Sequence, residues 1–237
     1  MYTNRFYRSW IDSDLVGFEV KVDETDLFVL AEKNLECETR DAVIKYRADI
    51  KDYIKIHPQF EKLLKPIEFD ENAPEIIKRM ILASQKTNVG SMAAVAGAMA
   101  EFVGRDLLKF SEEVIVENGG DIFIKSSKDR KFAIYAGNSP LSGKIAILVK
   151  AKKTPLGVCT SSGTVGHSLS FGKADAVCVA ARDSSLSDAA ATAICNIVKS
   201  KETIEKALNM SKSIEGIMGC VVIYGDKIGS VGEVELV

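Results

Sequence analysis

The chain has 237 residues, of which 46% are hydrophobic and 27% charged, with a formal net charge of −2. That balance belongs to a soluble globular protein able to bury a substantial core, and it carries no electrostatic footprint for nucleic acid. No stretch reaches the roughly 18 uninterrupted apolar residues of a membrane span; residues 90–104 come closest, and Glu101 interrupts them.

The five cysteines, Cys37, Cys159, Cys178, Cys195 and Cys220, are widely spaced and form no C-x-x-C pair. Neither a zinc site nor a redox dithiol is supported, and buried free thiols in a reducing compartment are expected. The N-terminus shows no apolar core of a leader, so a cytoplasmic location is expected.

In chain order, 15–22 and 26–31 alternate as a strand pair about a turn at 23–25. Residues 38–56 then carry Val43, Ile44, Tyr46, Ile50, Tyr53 and Ile54 at helical spacing, and His57-Pro58 ends that helix. After a connector, 75–86 predicts a second helix with Pro74 near its start. A third, 91–104, follows Gly90 and holds Gly97 and Gly104, so glycine recurs every seven residues. Interior glycine costs a helix about 1 kcal/mol, so that face is expected to meet either a ligand or a closely packed neighbour.

Residues 113–117 and 122–125 read as strands around Asn118-Gly-Gly-Asp121, where paired glycines predict a bulge or a close backbone approach. Further strands are expected at 131–137, 143–151 and 157–160, with connections too short for helical crossovers, hence antiparallel. The loop 160–168 is polar and glycine-rich. Residues 177–198 predict a strand entering a small-residue helix, 201–212 continues helical, and 219–224 with 228–236 close the chain as a hairpin. This order implies an α+β fold, one unit spanning 1–237, with mostly antiparallel sheets flanked by helices.

Three polar places stand out. In the late helix Asp188 and Thr192 lie one turn apart, with Ser187 the expected N-cap; a carboxylate and a hydroxyl so placed can hold Mg²⁺ while substrate phosphates complete its shell. Equally, Asp in a first helical turn is ordinary dipole chemistry, and the alanines around it are ordinary packing residues. The segment Glu117 to Asp121 offers flexible backbone and acceptors, and 160–167 offers hydroxyls and His167, either a general base or a loop residue capping backbone.

Together these places resemble the ApbE-type flavin transferases. The family's Val-Asp-x-Gly-Gly-Asn signature is similar to Val116-Glu-Asn-Gly-Gly-Asp121, its Ser-Thr-Ser-Gly segment to Thr160-Ser-Ser-Gly163, its following histidine to His167, and its Asp-Ala-x-Ala-Thr metal motif to Asp188-Ala-Ala-Ala-Thr192. The resemblance covers roughly residues 85–200. It departs at Ala96, where the family has lysine, and at Ser168 to Lys173, which replace an Asp-Pro-x-Thr-Gly segment.

The resemblance implies an ApbE-like fold that binds FAD and Mg²⁺ and moves FMN onto a hydroxyl of an acceptor protein. It assigns the metal to Asp188 and Thr192, the cofactor to Glu117, Asn118, Gly119, Gly120, Asp121, Ser161, Ser162 and Gly163, and base catalysis to His167. Two alternatives stand beside it: a flavin or nucleotide binder without transfer, suggested by the replaced 168–173 segment, and a serine hydrolase using Ser161 or Ser162 with His167, which lacks a G-x-S-x-G elbow.

Overall fold

The structure is a computed structural model and describes residue 8, residues 13–165 and residues 170–237. Its centre is an eight-stranded sheet in the order β1-β2-β3-β4-β7-β8-β9-β10, every neighbouring pair antiparallel. The strands are β1 (Val16–Val22), β2 (Thr25–Ala31), β3 (Val114–Asn118), β4 (Asp121–Lys125), β7 (Leu156–Ser161), β8 (Ala176–Ala181), β9 (Ile217–Tyr224) and β10 (Lys227–Gly232). The expected strands at 131–137 and 143–151 shorten to β5 (Arg130–Ala133) and β6 (Ala146–Val149). They leave the main sheet to pair with each other and with β11 (Glu235–Leu236).

Side-chain alternation builds two cores. One face of the large sheet sends Val20, Leu27, Val29, Val114, Val116 and Phe123 against the helices α1 (Glu36–Ile56), α2 (Glu75–Thr87) and α3 (Val95–Leu107). The other face sends Ile115, Ile124, Leu156, Val158 and Cys178 against Ile134, Ile147 and Val149 of the small sheet. Strand β8 is buried at every position, since Val177 and Val179 also pack beneath α4 (Ser184–Ile197) and α5 (Ile204–Ser213). This is the α+β, largely antiparallel arrangement that the sequence implied. Among the described residues, no helix is long and apolar enough to cross a membrane.

The helix expected over 91–104 is broken. Ser91–Ala94 form a 3₁₀ turn, and α3 proper begins at Val95. The break places a fresh helix start at Val95, whose N–H closes the 3₁₀ turn on the Met92 carbonyl, and the N–H groups of Ala96 and Gly97 follow it at the helix start.

Candidate functional site

Helix α4 is buried from Ser184 to Cys195 and runs along β7 and β8. Small residues allow this. A Cβ on Gly157 of β7 would fall 2.4 Å from the Ser184 Cα. The N-cap is Asp183, whose carboxylate accepts the Leu186 N–H at 2.6 Å. The expectation of Ser187 as cap is therefore corrected: its hydroxyl donates to the Val179 carbonyl at 2.6 Å, tying α4 to β8.

Asp188 accordingly lies beyond the first turn of its own helix. The backbone that meets it belongs to α3, where the Gly97 N–H donates to Asp188 Oδ2 at 2.9 Å. A Cβ on Gly97 would stand 2.7 Å from the Asp188 Cβ and 2.2 Å from the Ser184 carbonyl oxygen. Gly104 is pressed by the Phe123 ring and Gly90 by the Leu63 carbonyl. The seven-residue glycine spacing thus serves close packing, and at Gly97 also the approach of a carboxylate.

Asp121 opens β4 and pairs across the sheet with Cys159 of β7, whose thiol faces the Ser184 carbonyl at 3.4 Å. Asp121, Cys159 and Asp188 thereby share one buried place between β4, β7 and α4. Burial pushes the Asp188 carboxyl up to about 7, against which the Gly97 and Ala96 N–H groups act only in part. Burial, and then the nearby Asp188 charge, push Asp121 well above the usual carboxylate range. Burial followed by the same two acids raises the Cys159 thiol. Asp121 Oδ1 is buried without a hydrogen-bond partner.

Thr192 stands one turn beyond Asp188, at 8% exposure. Ser161, two residues past Cys159 and so on the same face of β7, has a buried hydroxyl with no partner and lies beside Cys195 of α4. Among the described residues, no three of His, Cys, Asp and Glu are gathered to hold a metal ion. A cation here would rest on one or two carboxylates and a hydroxyl, the sparse oxygen set that Mg²⁺ accepts when phosphates and water supply the rest. The residues present fit that ion.

Gly119 and Gly120 form a tight two-residue turn with φ of 70° and 102°, between the paired Asn118 and Asp121. The expected bulge is therefore a hairpin turn whose backbone demands glycine at both places. Two side chains fix it. Asn118 Nδ2 donates to the Ala96 carbonyl at 3.1 Å, joining the turn to the start of α3. Glu117 Oε1 accepts the Gly120 N–H at 2.8 Å while its Oε2 accepts Arg8 Nε at 2.7 Å. Glu117, expected among the cofactor-binding residues, holds the turn with both its oxygens. Arg8 also pairs with Asp26 at 2.8 Å and Glu19 at 3.1 Å.

In the glycine-rich loop, Ser162 Oγ accepts the Thr164 and Val165 N–H groups at 3.1 and 3.0 Å. Gly163 donates to the Ala174 carbonyl at 2.9 Å and lies so close to Gly172 that a Cβ would sit 2.2 Å from its carbonyl oxygen. His167 lies outside the described residues. Ser161 ends a strand rather than occupying a strand-to-helix elbow, which gives the hydrolase alternative no nucleophile geometry.

Of four participants not assigned to the site from the sequence, Cys159 and Arg8 had little signal. Glu101 did have one, as an acid in an apolar, small-residue helix: it is 1% exposed, accepts the Ser184 N–H at 2.8 Å and thus anchors the start of α4. Cys159 looked like core, Gly97 was expected to meet either a ligand or a closely packed neighbour, and Arg8 sits in a stretch without periodicity. Two surface clefts of about 450 and 300 Å³ share Tyr53, His57 and Asp70 between α1 and α2, and include none of the residues singled out from the sequence. Their Tyr53 hydroxyl already donates to Asp70 at 3.1 Å, leaving no comparable unsatisfied group.

Comparison with known proteins gives three results. Residues 8–223 match the family model described as AbpE bacteria. The chain is 42% identical over 220 residues to a UPF0280 protein of Methanocaldococcus jannaschii, covering 91% of this chain and 86% of that one. With a UPF0280 protein of Methanosarcina acetivorans it is 39% identical over 214 residues, covering 89% and 84%. Among solved structures, the apo flavinyl transferase ApbE of Pseudomonas stutzeri superposes with a TM-score of 0.57 at 12% identity, covering 92% of this chain and 94% of that one. The ApbE protein of Thermotoga maritima gives 0.57 at 13% identity, covering 93% and 97%. At such identities the likeness is one of fold.

Proposed function

The chain belongs to the family described as AbpE bacteria, and on that premise we propose that it binds FAD with Mg²⁺ and transfers FMN to a hydroxyl of an acceptor protein, in the cytoplasm. The observation that supports this reading is the anionic pocket of Asp121 and Asp188, buried where the Gly119–Gly120 turn, the start of α3 and the body of α4 meet. Buried carboxylates without a basic partner favour a bound cation.

In this reading Asp188 and Thr192 hold the metal. When bound, Mg²⁺ offsets pyrophosphate charge and favours AMP as the leaving group. The Gly119–Gly120 turn has room above it, the nearest atom to a Cβ on Gly120 being the Thr160 carbonyl oxygen at 3.9 Å. Its backbone can therefore lie against a nucleotide, kept in place by Asn118 and Glu117. Ser161, Ser162 and Gly163 line the same end of β7. The bond formed joins the acceptor oxygen to the FMN phosphorus and the bond broken is the one to AMP. His167 takes the hydroxyl proton.

A second reading, a flavin or nucleotide binder without transfer, is favoured by one observation: the 170–174 segment is pinned onto α4 and the 162–165 loop. The Phe171 N–H is held by Asn196 Oδ1 at 2.7 Å, and Gly172 is wedged on the Cys195 carbonyl. Incubation with FAD and Mg²⁺, followed by chromatography for AMP and in-gel fluorescence for protein-bound flavin, separates the two. AMP release with flavin attached to an acceptor supports transfer. FAD binding without AMP release supports the binder, and absence of both overturns both readings.

A further inference from the structure

We propose that Asp121 is a second carboxylate of the divalent-cation site, facing Asp188 across the contact of β4 with α4, so that the cation is gripped between two acids. This rests on the Mg²⁺ part of the reading above, which needs only Asp188 and Thr192, and adds a residue to it.

Asp121 is 6% exposed, yet its Oδ1 has no hydrogen-bond donor. A buried carboxylate oxygen is rarely left so unless something else meets it. No ion pair among the described residues involves Asp121 or Asp188. The nearest basic groups are committed elsewhere: Arg8 to Glu117 and Asp26, Arg105 to Glu101. Two buried carboxylates thus share one place, Asp121 beside Cys159, whose thiol meets Ser184 one turn before Asp188, without an ion-pair partner among the described residues, an arrangement that folding alone does not favour.

The position of Asp121 in the chain supports the same conclusion. It immediately follows the Gly119–Gly120 turn, beside the open space above Gly120. A phosphate lying on that turn would meet a cation held by Asp121 and Asp188 without further protein ligands, which is how Mg²⁺ is commonly shared between carboxylates and phosphates. In the motif that Val116 to Asp121 resembles, this place carries asparagine, a donor and acceptor without charge; aspartate adds an anionic oxygen where none is needed for a hydrogen bond alone. The Cys159 thiol sits beside Asp121 and donates to the Ser184 carbonyl at 3.4 Å, so the groups left open to an ion are oxygens, which favours Mg²⁺ or Mn²⁺ over softer ions.

The test is isothermal titration of EDTA-stripped full-length protein with Mg²⁺ and with Mn²⁺, together with thermal melts. It compares wild type, Asp121→Asn, Asp121→Glu and, as an exposed acid outside the site that pairs with Lys150, Asp129→Asn. The expected result is at least a tenfold loss of Mg²⁺ affinity in Asp121→Asn, a metal-free melting temperature above that of wild type because the repulsion is gone, and unchanged affinity in Asp129→Asn. Asp121→Glu, which keeps the charge but shifts it by one methylene, is expected to bind with altered affinity and serves if the asparagine variant does not fold. Mg²⁺ affinity within twofold of wild type in both Asp121 variants overturns the inference alone. Wild type that binds neither ion overturns the metal reading itself.

Discussion

The carboxylate of Asp188 accepts the backbone N–H of Gly97 at 2.9 Å, joining the middle of one helix to the first turn of another. This contact sets the spacing of α3 and α4. It is also the point where an acid from α4 meets the favourable end of a helix dipole that its own helix does not offer.

Replacing Gly97 with alanine tests that spacing. The new methyl group would stand 2.2 Å from the Ser184 carbonyl oxygen, a backbone atom that cannot swing aside. The helices must separate, at an expected cost of about 1–3 kcal/mol. Urea denaturation followed by circular dichroism measures this, and Mg²⁺-dependent stabilisation is expected to fall with it. An unchanged midpoint would contradict close packing at this site.

The pH dependence of metal-free stability follows from Asp188. Burial holds its carboxyl at about 7 in the folded chain against 3.8 ordinarily. The folded state then binds the proton more tightly than the unfolded state. The stability contributed is fully present below about pH 4 and is lost as pH rises through about 7. In EDTA, the melting temperature is expected to drop across this window, by the equivalent of a few kcal/mol at most, and Asp188→Asn is expected to flatten the drop. A wild-type curve that climbs over the same window would reverse the sign and remove the buried-acid account.

Arg8→Gln probes the clamp on the glycine turn. Arg8 is 8% exposed, and its loss takes the guanidinium away from the buried Glu117 and Asp26, the latter keeping Lys21 at 3.6 Å. Breaking such a pair costs about 3–5 kcal/mol in typical cases, and part of that is expected in chemical denaturation. Arg8→Lys should recover some stability by restoring charge without the fork that reaches Glu117 and Asp26 together.

Ser161→Ala separates structure from ligand contact. Its hydroxyl is buried with no partner, so its removal is expected to leave stability unchanged or to raise it by up to about 1 kcal/mol. FAD affinity, read by quenching of flavin fluorescence, is expected to weaken several-fold. Unaltered FAD binding in a stable variant would take Ser161 out of the site.

The fold was legible where periodicity was strong. The β1–β2 hairpin, α1 and α2 lie within a residue or two of their expected places, because strict alternation and helical stripes report which face is buried; of the closing hairpin, the strand expected over 228–236 ends at Gly232, and Glu235–Leu236 pass to the small sheet. Sheet membership was not legible. The local pattern of 130–149 says strand but not which neighbour, and the second sheet forms only because β11 returns from the far end of the chain. The cap of α4 was misplaced by four residues, because Asp183, Ser184, Ser185 and Ser187 all have capping chemistry and only packing on β8 chooses among them. Asp121 and Asp188 were each visible as motif residues. Their proximity was not, because it depends on the register of β4 with β7 and on how closely α4 lies along β7.

The sheet order also dictates the sequence of assembly. Strand β2 pairs with β3, and everything from α1 through α3 lies between them in the chain. On the ribosome the opening hairpin must therefore wait, its inner edge unpaired, until the strand bearing Glu117 has emerged. Until that long loop closes, the free edge of β2 is open to pairing with other chains.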